Sequence, residues 1–271
     1  SRSLGVTTDF LLGENNKGLK KGINQRIYSK SYRKYAGKYN LYFYGTVNCE
    51  SGTVTVATLE INFAKEEAVT MKIATSEGGE KLYYGELQIS EMSPNVFIVL
   101  NSDFGEQVSL TFYDEPMNCE TFQCAVGAML SISAGDLKRA PVLNRFIITG
   151  YDVDEAHMKF IKAHLKLNTK YIDITPEMIS TSVEGVFGKC EMADRITDRL
   201  KKAFYSKRYY AIEDSFIVNT LRKDENLSLR QADELIAELR NHSLSNINFK
   251  INKSLDSTVY RCTNPKNISQ E

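Results

Sequence analysis

The side chains best equipped to do chemistry here are aromatic. Fifteen tyrosines and thirteen phenylalanines stand in a chain with no tryptophan. Tyr39, Phe43, Tyr84, Phe97 and Phe112 fall in runs where alternate residues share a face, so part of the set must point into whatever that face encloses. Rings lining a cavity bind a small molecule through apolar area, and phenolic hydroxyls orient it. The same rings packed on one another make an ordinary core. Arg145 lies beside Phe146 in the last such run. It sits either at a rim or projecting inward, where it would need a carboxylate or a ligand anion. The small-residue segment 131–140 ends in Lys138 and Arg139, two cations suited to an anion or to the edge of a cavity mouth.

Other chemistries find little support. Cys49, Cys119, Cys124, Cys190 and Cys262 contain no C-x-x-C pair, so they read as free thiols in a reducing compartment. His157 and His164 lie seven apart and could share a helix face, but no acid or thiol completes a ligand set around them. Glu66-Glu67 and the Asp152/Asp154 pair are surface charges by position. There is no G-x-S-x-G, no phosphate-binding loop, no dinucleotide fingerprint and no H-E-x-x-H. The expectation is a protein that is not an enzyme and carries neither cofactor nor metal.

The elements that position these residues follow from periodicity. The chain has 271 residues, with 34 basic and 34 acidic side chains in balance, which excludes a uniformly basic nucleic-acid binder. No apolar run approaches ~18 residues, so no membrane span is expected. Residues 1–13 read as a helix end followed by a short helix. Residues 14–36 form a basic linker in which Lys17, Lys20, Lys21 and Arg26 are the cations nearest the N-terminus. Residues 37–150 alternate with period two in eight runs: 38–46, 53–63, 68–75, 81–90, 95–101, 106–113, 121–133 and 142–150. Their connections are too short for parallel crossovers, so the sheet must be an antiparallel meander. Closure into a barrel removes two exposed edges; a two-layer sandwich is the alternative. Residues 151–271 switch to helical spacing, with Asp154 as a cap, a helix near 190–205, and Ser228/Gln231 as a capping box. A hairpin through Ile247–Ile251 and Thr258–Cys262 would complete a winged-helix-like outline, with Arg230, Arg240 and Lys250 or Lys253 clustered if it touches DNA. The fold class expected is α+β: an eight-stranded antiparallel meander barrel followed by a helical, small α+β C-terminal module.

Two stretches carry resemblances. Gly37-Lys38-Tyr39 resembles the glycine-x-tryptophan opening of calycin barrels, with tyrosine in the aromatic place. That implies an architecture able to hold one small ligand. Leu4-Gly5-Val6-Thr7-Thr8-Asp9-Phe10-Leu11-Leu12-Gly13 resembles the end of the DNA-binding domain of XRE-type (Cro/repressor-like) helix-turn-helix regulators. Leu4, Gly5, Val6, Thr7, Asp9, Phe10, Leu11, Leu12 and Gly13 match that family's last turn and helix. A helix this short is unstable alone and needs a bundle to pack on. The resemblance implies a DNA-binding head preceding Ser1. It also implies a cytoplasmic transcription regulator acting as a homodimer, because operators carry two half-sites. The barrel would then be its ligand-sensing or oligomerising body, with Tyr39, Phe43, Tyr84, Phe97, Phe112 and Arg145 as ligand candidates. Lys17, Lys20, Lys21 and Arg26 would be the DNA-proximal candidates. A stand-alone calycin-like binding or protein-interaction module is the alternative.

Overall fold

The eight period-two runs become eight strands because each has one face for a core and one for water. The computed structural model describes residues 30–46, 52–75, 78–90, 93–114, 121–133, 139–167, 171–204 and 210–250. Among them the strands are β1 (Gly37–Tyr44), β2 (Val54–Ile61), β3 (Val69–Ala74), β4 (Glu80–Ile89), β5 (Asn95–Asn101), β6 (Gln107–Tyr113), β7 (Cys124–Ile132) and β8 (Pro141–Thr149). Each pairs antiparallel with the next. The turns after β3 and β5 place Gly78 and Gly105 at φ of 80° and 76°, a region only glycine enters cheaply. β1 returns to β8, from Asn40 opposite Thr149 to Phe43 opposite Phe146. The sheet therefore closes into an eight-stranded antiparallel barrel, and the sandwich alternative is excluded.

One end of the barrel, the floor, is sealed by aromatic packing. Helix α1 (Lys30–Arg33) leads into Tyr35, which is fully buried. Its ring lies 5.1 Å from Phe122 and 6.0 Å edge-on to Phe112. Phe112 in turn meets Phe146 edge-on at 6.1 Å. Lys34 pairs with Asp114 at 2.9 Å, and the Tyr35 hydroxyl donates to the same carboxylate. Gly127 makes room for Phe146, its cross-strand partner: a Cβ there would collide with the Phe146 ring and the Thr111 carbonyl. An aromatic ring laid over a strand glycine fills the gap that glycine leaves.

The chain after β8 builds a second core. A 3-10 turn (Glu155–His157), capped by Asp154, opens α2 (Met158–Leu165). Ile161 and Leu165 of α2 pack on Tyr42, Tyr44 and Ile147, which face outward from β1 and β8. β9 (Tyr171–Ile174) pairs with β10 (Tyr210–Glu213). Between them lie α3 (Pro176–Phe187) and α4 (Glu191–Ala203). Thr175 caps α3, and proline at its first turn is pre-set for the helix. Helix α5 is continuous over 214–224, with a π-helical stretch at Ile217–Leu221 inside it. Helix α6 (Leu229–Asn241) starts with the expected capping box, Ser228 and Gln231 each accepting the other's backbone N–H. Among the described residues no helix is long and apolar enough to cross a membrane.

The last described strand joins the barrel wall. β11 (Phe249–Lys250) pairs with β8, Phe249 opposite Leu143 and Lys250 opposite Val142. Its expected mate, Thr258–Cys262, lies outside the described residues, as do Lys253 and residues 1–29. β8 offers an open edge there because β1 leaves it after Phe43. Arg230 and Arg240 do not cluster. They stand at opposite ends of α6, and each has its own acid, Glu234 and Asp214.

Replacing Gly127 with alanine should push Phe146 off its site and destabilise the barrel by roughly 3 kcal/mol, the upper end of overpacking costs. Urea unfolding would show a lower midpoint at constant slope. An unchanged midpoint would contradict the packing described.

Candidate functional site

Three of the aromatic candidates face inward. Tyr39, Phe43 and Phe112 belong to the buried barrel core. The Tyr39 hydroxyl is already spent, donating to the Tyr35 carbonyl at 2.9 Å. Two candidates are corrected. Phe97 is 42% exposed on the outer surface, where its phase along β5 sends it while Val96 and Ile98 fill the core. Tyr84 is half-buried on the outer face, and its neighbour Tyr83 takes the interior place. Arg145 is neither at a rim nor inside. It faces outward under α2, where its Nη1 donates to the His164 carbonyl at 3.2 Å. Burial there, with the Arg240 charge nearby, pulls its guanidinium below its usual pKa. The candidates Lys17, Lys20, Lys21 and Arg26 lie outside the described residues.

The interior divides into an aromatic floor and a polar mouth. Along β8 the inward residues are Val142, Asn144, Phe146 and Ile148, all buried. Phe146 ends the aromatic stack, and Asn144 is the next inward residue toward the mouth. Asn144 is 1% exposed, and neither its Oδ1 nor its Nδ2 has a hydrogen-bond partner. Its cross-strand neighbour is the buried Met129. An amide left bare in such surroundings costs about 1–3 kcal/mol for each unmet group.

A second amide joins it. Extending the β8–β11 register by one step sets Asn248 opposite Asn144. Phe249 is exposed and Ile247 packs on the outer cluster of β1, β8 and α2, so alternation turns Asn248 to the inner side. The Asn248 Nδ2 is likewise buried and unpartnered.

The mouth itself is braced by a charged knot. Tyr83 donates to Glu106 at 2.8 Å, Lys81 approaches the same oxygen at 3.4 Å, and Arg139 binds the other. Burial would raise the Glu106 carboxyl, but the Tyr83 hydrogen bond and the Lys81 and Arg139 charges outweigh it and hold it below its usual range. Burial, then the Glu106 contact, pushes the Tyr83 phenol well up. Arg139 thus flanks the mouth, where it and Lys81 share the Glu106 carboxylate.

On the outside, the seam between barrel and helices is polar as well. The Tyr44 hydroxyl donates to the Lys162 carbonyl at 2.8 Å, and burial pushes its pKa up to about 12. Lys166 reaches the end of α6, donating to the Asn241 and Ser243 carbonyls at 2.6 and 3.1 Å. A cation at a helix C-terminus suits the macrodipole.

The geometry offers no catalytic set among the described residues. Ser182 and His242 approach at 3.0 Å, with Glu238 beyond. Both the serine and the glutamate meet the same ring nitrogen, Nδ1, whereas a triad needs them on opposite nitrogens. Ser182 moreover donates to the Met178 carbonyl at 2.7 Å inside α3. Cys124 and Cys190 are reduced thiols, and no group of three metal-ligating side chains occurs among the described residues.

No family model, no curated protein and no solved structure matches this chain. Its site must therefore be read from its own geometry. Sequence reasoning missed Asn144, Asn248 and Glu106, and among the neighbouring tyrosines it favoured Tyr84 over Tyr83. The available signal was Asn144 itself, a polar residue in phase with Val142, Phe146 and Ile148.

Two pH effects follow. Glu106 has a lowered folded pKa, so its contribution is present above the unfolded value of 4.5 and lost as pH falls through the folded one. Glu106→Gln should lower the thermal midpoint at pH 7, and the gap to the parent should narrow progressively as pH falls below 4.5. A gap independent of pH would remove the charge from the account. Tyr44 stays neutral in the fold to about pH 12 but ionises at 10.0 when unfolded, so stability should fall across that interval. Tyr44→Phe should flatten the fall; an unaltered alkaline profile would show that Tyr44 is not its source.

Proposed function

We propose that this chain is the ligand-responsive, pairing body of a DNA-binding transcriptional regulator of the Cro/repressor-like type, whose helix-turn-helix head precedes Ser1. The observation that carries the sensing half is the shared wall: β8 pairs with β1 near the floor and with β11 near the mouth. A molecule bound inside touches barrel and helical module at once, so occupancy biases how the two are joined. The decapeptide Leu4–Gly13 supplies the DNA-binding half.

Pairing finds support on the outer surface. Val99, Ser109, Leu130, Leu143 and Phe249 are successive cross-strand partners in one uncharged row around the wall. Val99, Leu130, Leu143 and Phe249 are each 40–52% exposed. An exposed apolar patch of this kind marks a protein contact. A second copy of the chain fits the need, since two heads must meet two half-sites.

The test uses the gene product extended upstream of Ser1 and DNA from its own promoter region. It should bind as a dimer, with affinity falling steeply as salt rises. Changing Lys17, Lys20, Lys21 and Arg26 to alanine should reduce the log–log salt slope by about one for each phosphate that is no longer neutralised. Absence of sequence-specific binding, or a bound monomer in sedimentation, would refute the reading.

A further inference from the structure

We propose that Asn144 and Asn248 form the recognition pole of an interior site for a small, uncharged, planar molecule with an imide edge, as a pyrimidine base presents. Asn144 leaves one acceptor, Oδ1, and one donor group, Nδ2; Asn248 adds a second donor group, Nδ2. Two donors and one acceptor are complemented by two acceptors and one donor. A carbonyl, an N–H and a second carbonyl in one plane meet that count. Asparagine amides read base edges by paired hydrogen bonds of this sort.

The surroundings restrict the ligand further. Phe146 is the next inward residue on β8, Phe43 stands opposite Phe146 and Met129 opposite Asn144, and all are apolar. Rings and a thioether favour a flat, polarizable partner. Lys81 and Arg139 share the one Glu106 carboxylate at the partly exposed mouth, whereas the Asn144 amide is buried and uncharged, so the recognition pole itself offers an ionic ligand no counter-ion. Burying an unpaired ion is far costlier than burying a hydrogen-bonded neutral ring. An eight-stranded barrel is either filled by its own side chains or holds one small ligand, so the proposal is limited to a single ring.

The position carries the consequence. Asn144 belongs to the barrel, while Asn248 follows α6 and belongs to the helical module. A ligand held by both fastens β11 to β8. This deepens the sensing role proposed above and rests on it, but its readout lies inside the barrel, so its failure is separable from a failure to bind DNA.

The experiment is a titration of the 271-residue protein with uracil, followed by the side-chain NH2 signals in 15N–1H NMR spectra. Asn144→Leu and Asn248→Ala identify the two amides by loss of their signals. Uracil should shift both NH2 pairs and raise the thermal midpoint. 1,3-Dimethyluracil, which lacks the N–H, and orotate, which is charged, should do neither. Asn248→Ala should weaken uracil at least tenfold. Asn144→Leu should abolish the response while raising the midpoint of the free protein, since an unpaired amide is replaced by an apolar group of similar size. Asn248 lies next to the short edge strand, so its variant keeps the test usable should Asn144→Leu fail to fold. The proposal is overturned if uracil shifts neither amide, if dimethyluracil or orotate acts equally well, or if both amides show only contacts to long-lived water.

Discussion

The ladder between β1 and β8 is the constraint on which the molecule depends. Four register pairs, Asn40 to Phe43 against Thr149 to Phe146, turn an open sheet with two edges into a closed wall. Closure creates an inside, and only then does alternation sort residues into lining and surface. The same ladder is short. β1 departs before β8 ends, and the exposed edge left near the mouth is where the helical module inserts β11. One strand thus serves three neighbours, and the joint between the two cores is built from backbone hydrogen bonds as well as from side chains.

Polarity inside the barrel is concentrated rather than spread. The floor is held by ring contacts among Tyr35, Phe112, Phe122 and Phe146. The mouth is held by the Glu106 knot, where every charge has an opposite within reach. Asn144 lies between these regimes with neither rings nor charges to satisfy it. Domains of this size keep only about 5–15 kcal/mol in hand. Several kcal/mol set aside at one amide is therefore a large fraction, and departures from internal consistency tend to mark places selected for something other than stability.

The strands were legible because their outer faces are polar. Leu59, Ile61 and Met71 stand out against Glu60, Thr70 and Lys72. Phase was lost where both faces are apolar. Val96-Phe97-Ile98-Val99-Leu100 reads the same in either register, and so does Leu82-Tyr83-Tyr84, which is how Phe97 and Tyr84 came to be expected inside. Asn144 was hidden for the converse reason, since a polar residue in a strand is ordinarily taken for surface. Helix α3 went unread because serine, threonine and glycine dilute its apolar stripe. The β11–β8 pairing joins residues about a hundred positions apart, and no local pattern announces a contact of that span.

The floor has a mechanical meaning. Tyr35 is sunk among the rings, its hydroxyl and the Lys34 ammonium both fasten to Asp114, and Phe122 donates its N–H to the Lys34 carbonyl at 3.0 Å. Traction on the chain before Lys30 therefore falls on an interlocked stopper, not on a loose tether. Withdrawing it would uncover Phe112 and Phe122 together. A pull on this segment would therefore load the barrel's own ring core rather than a surface loop.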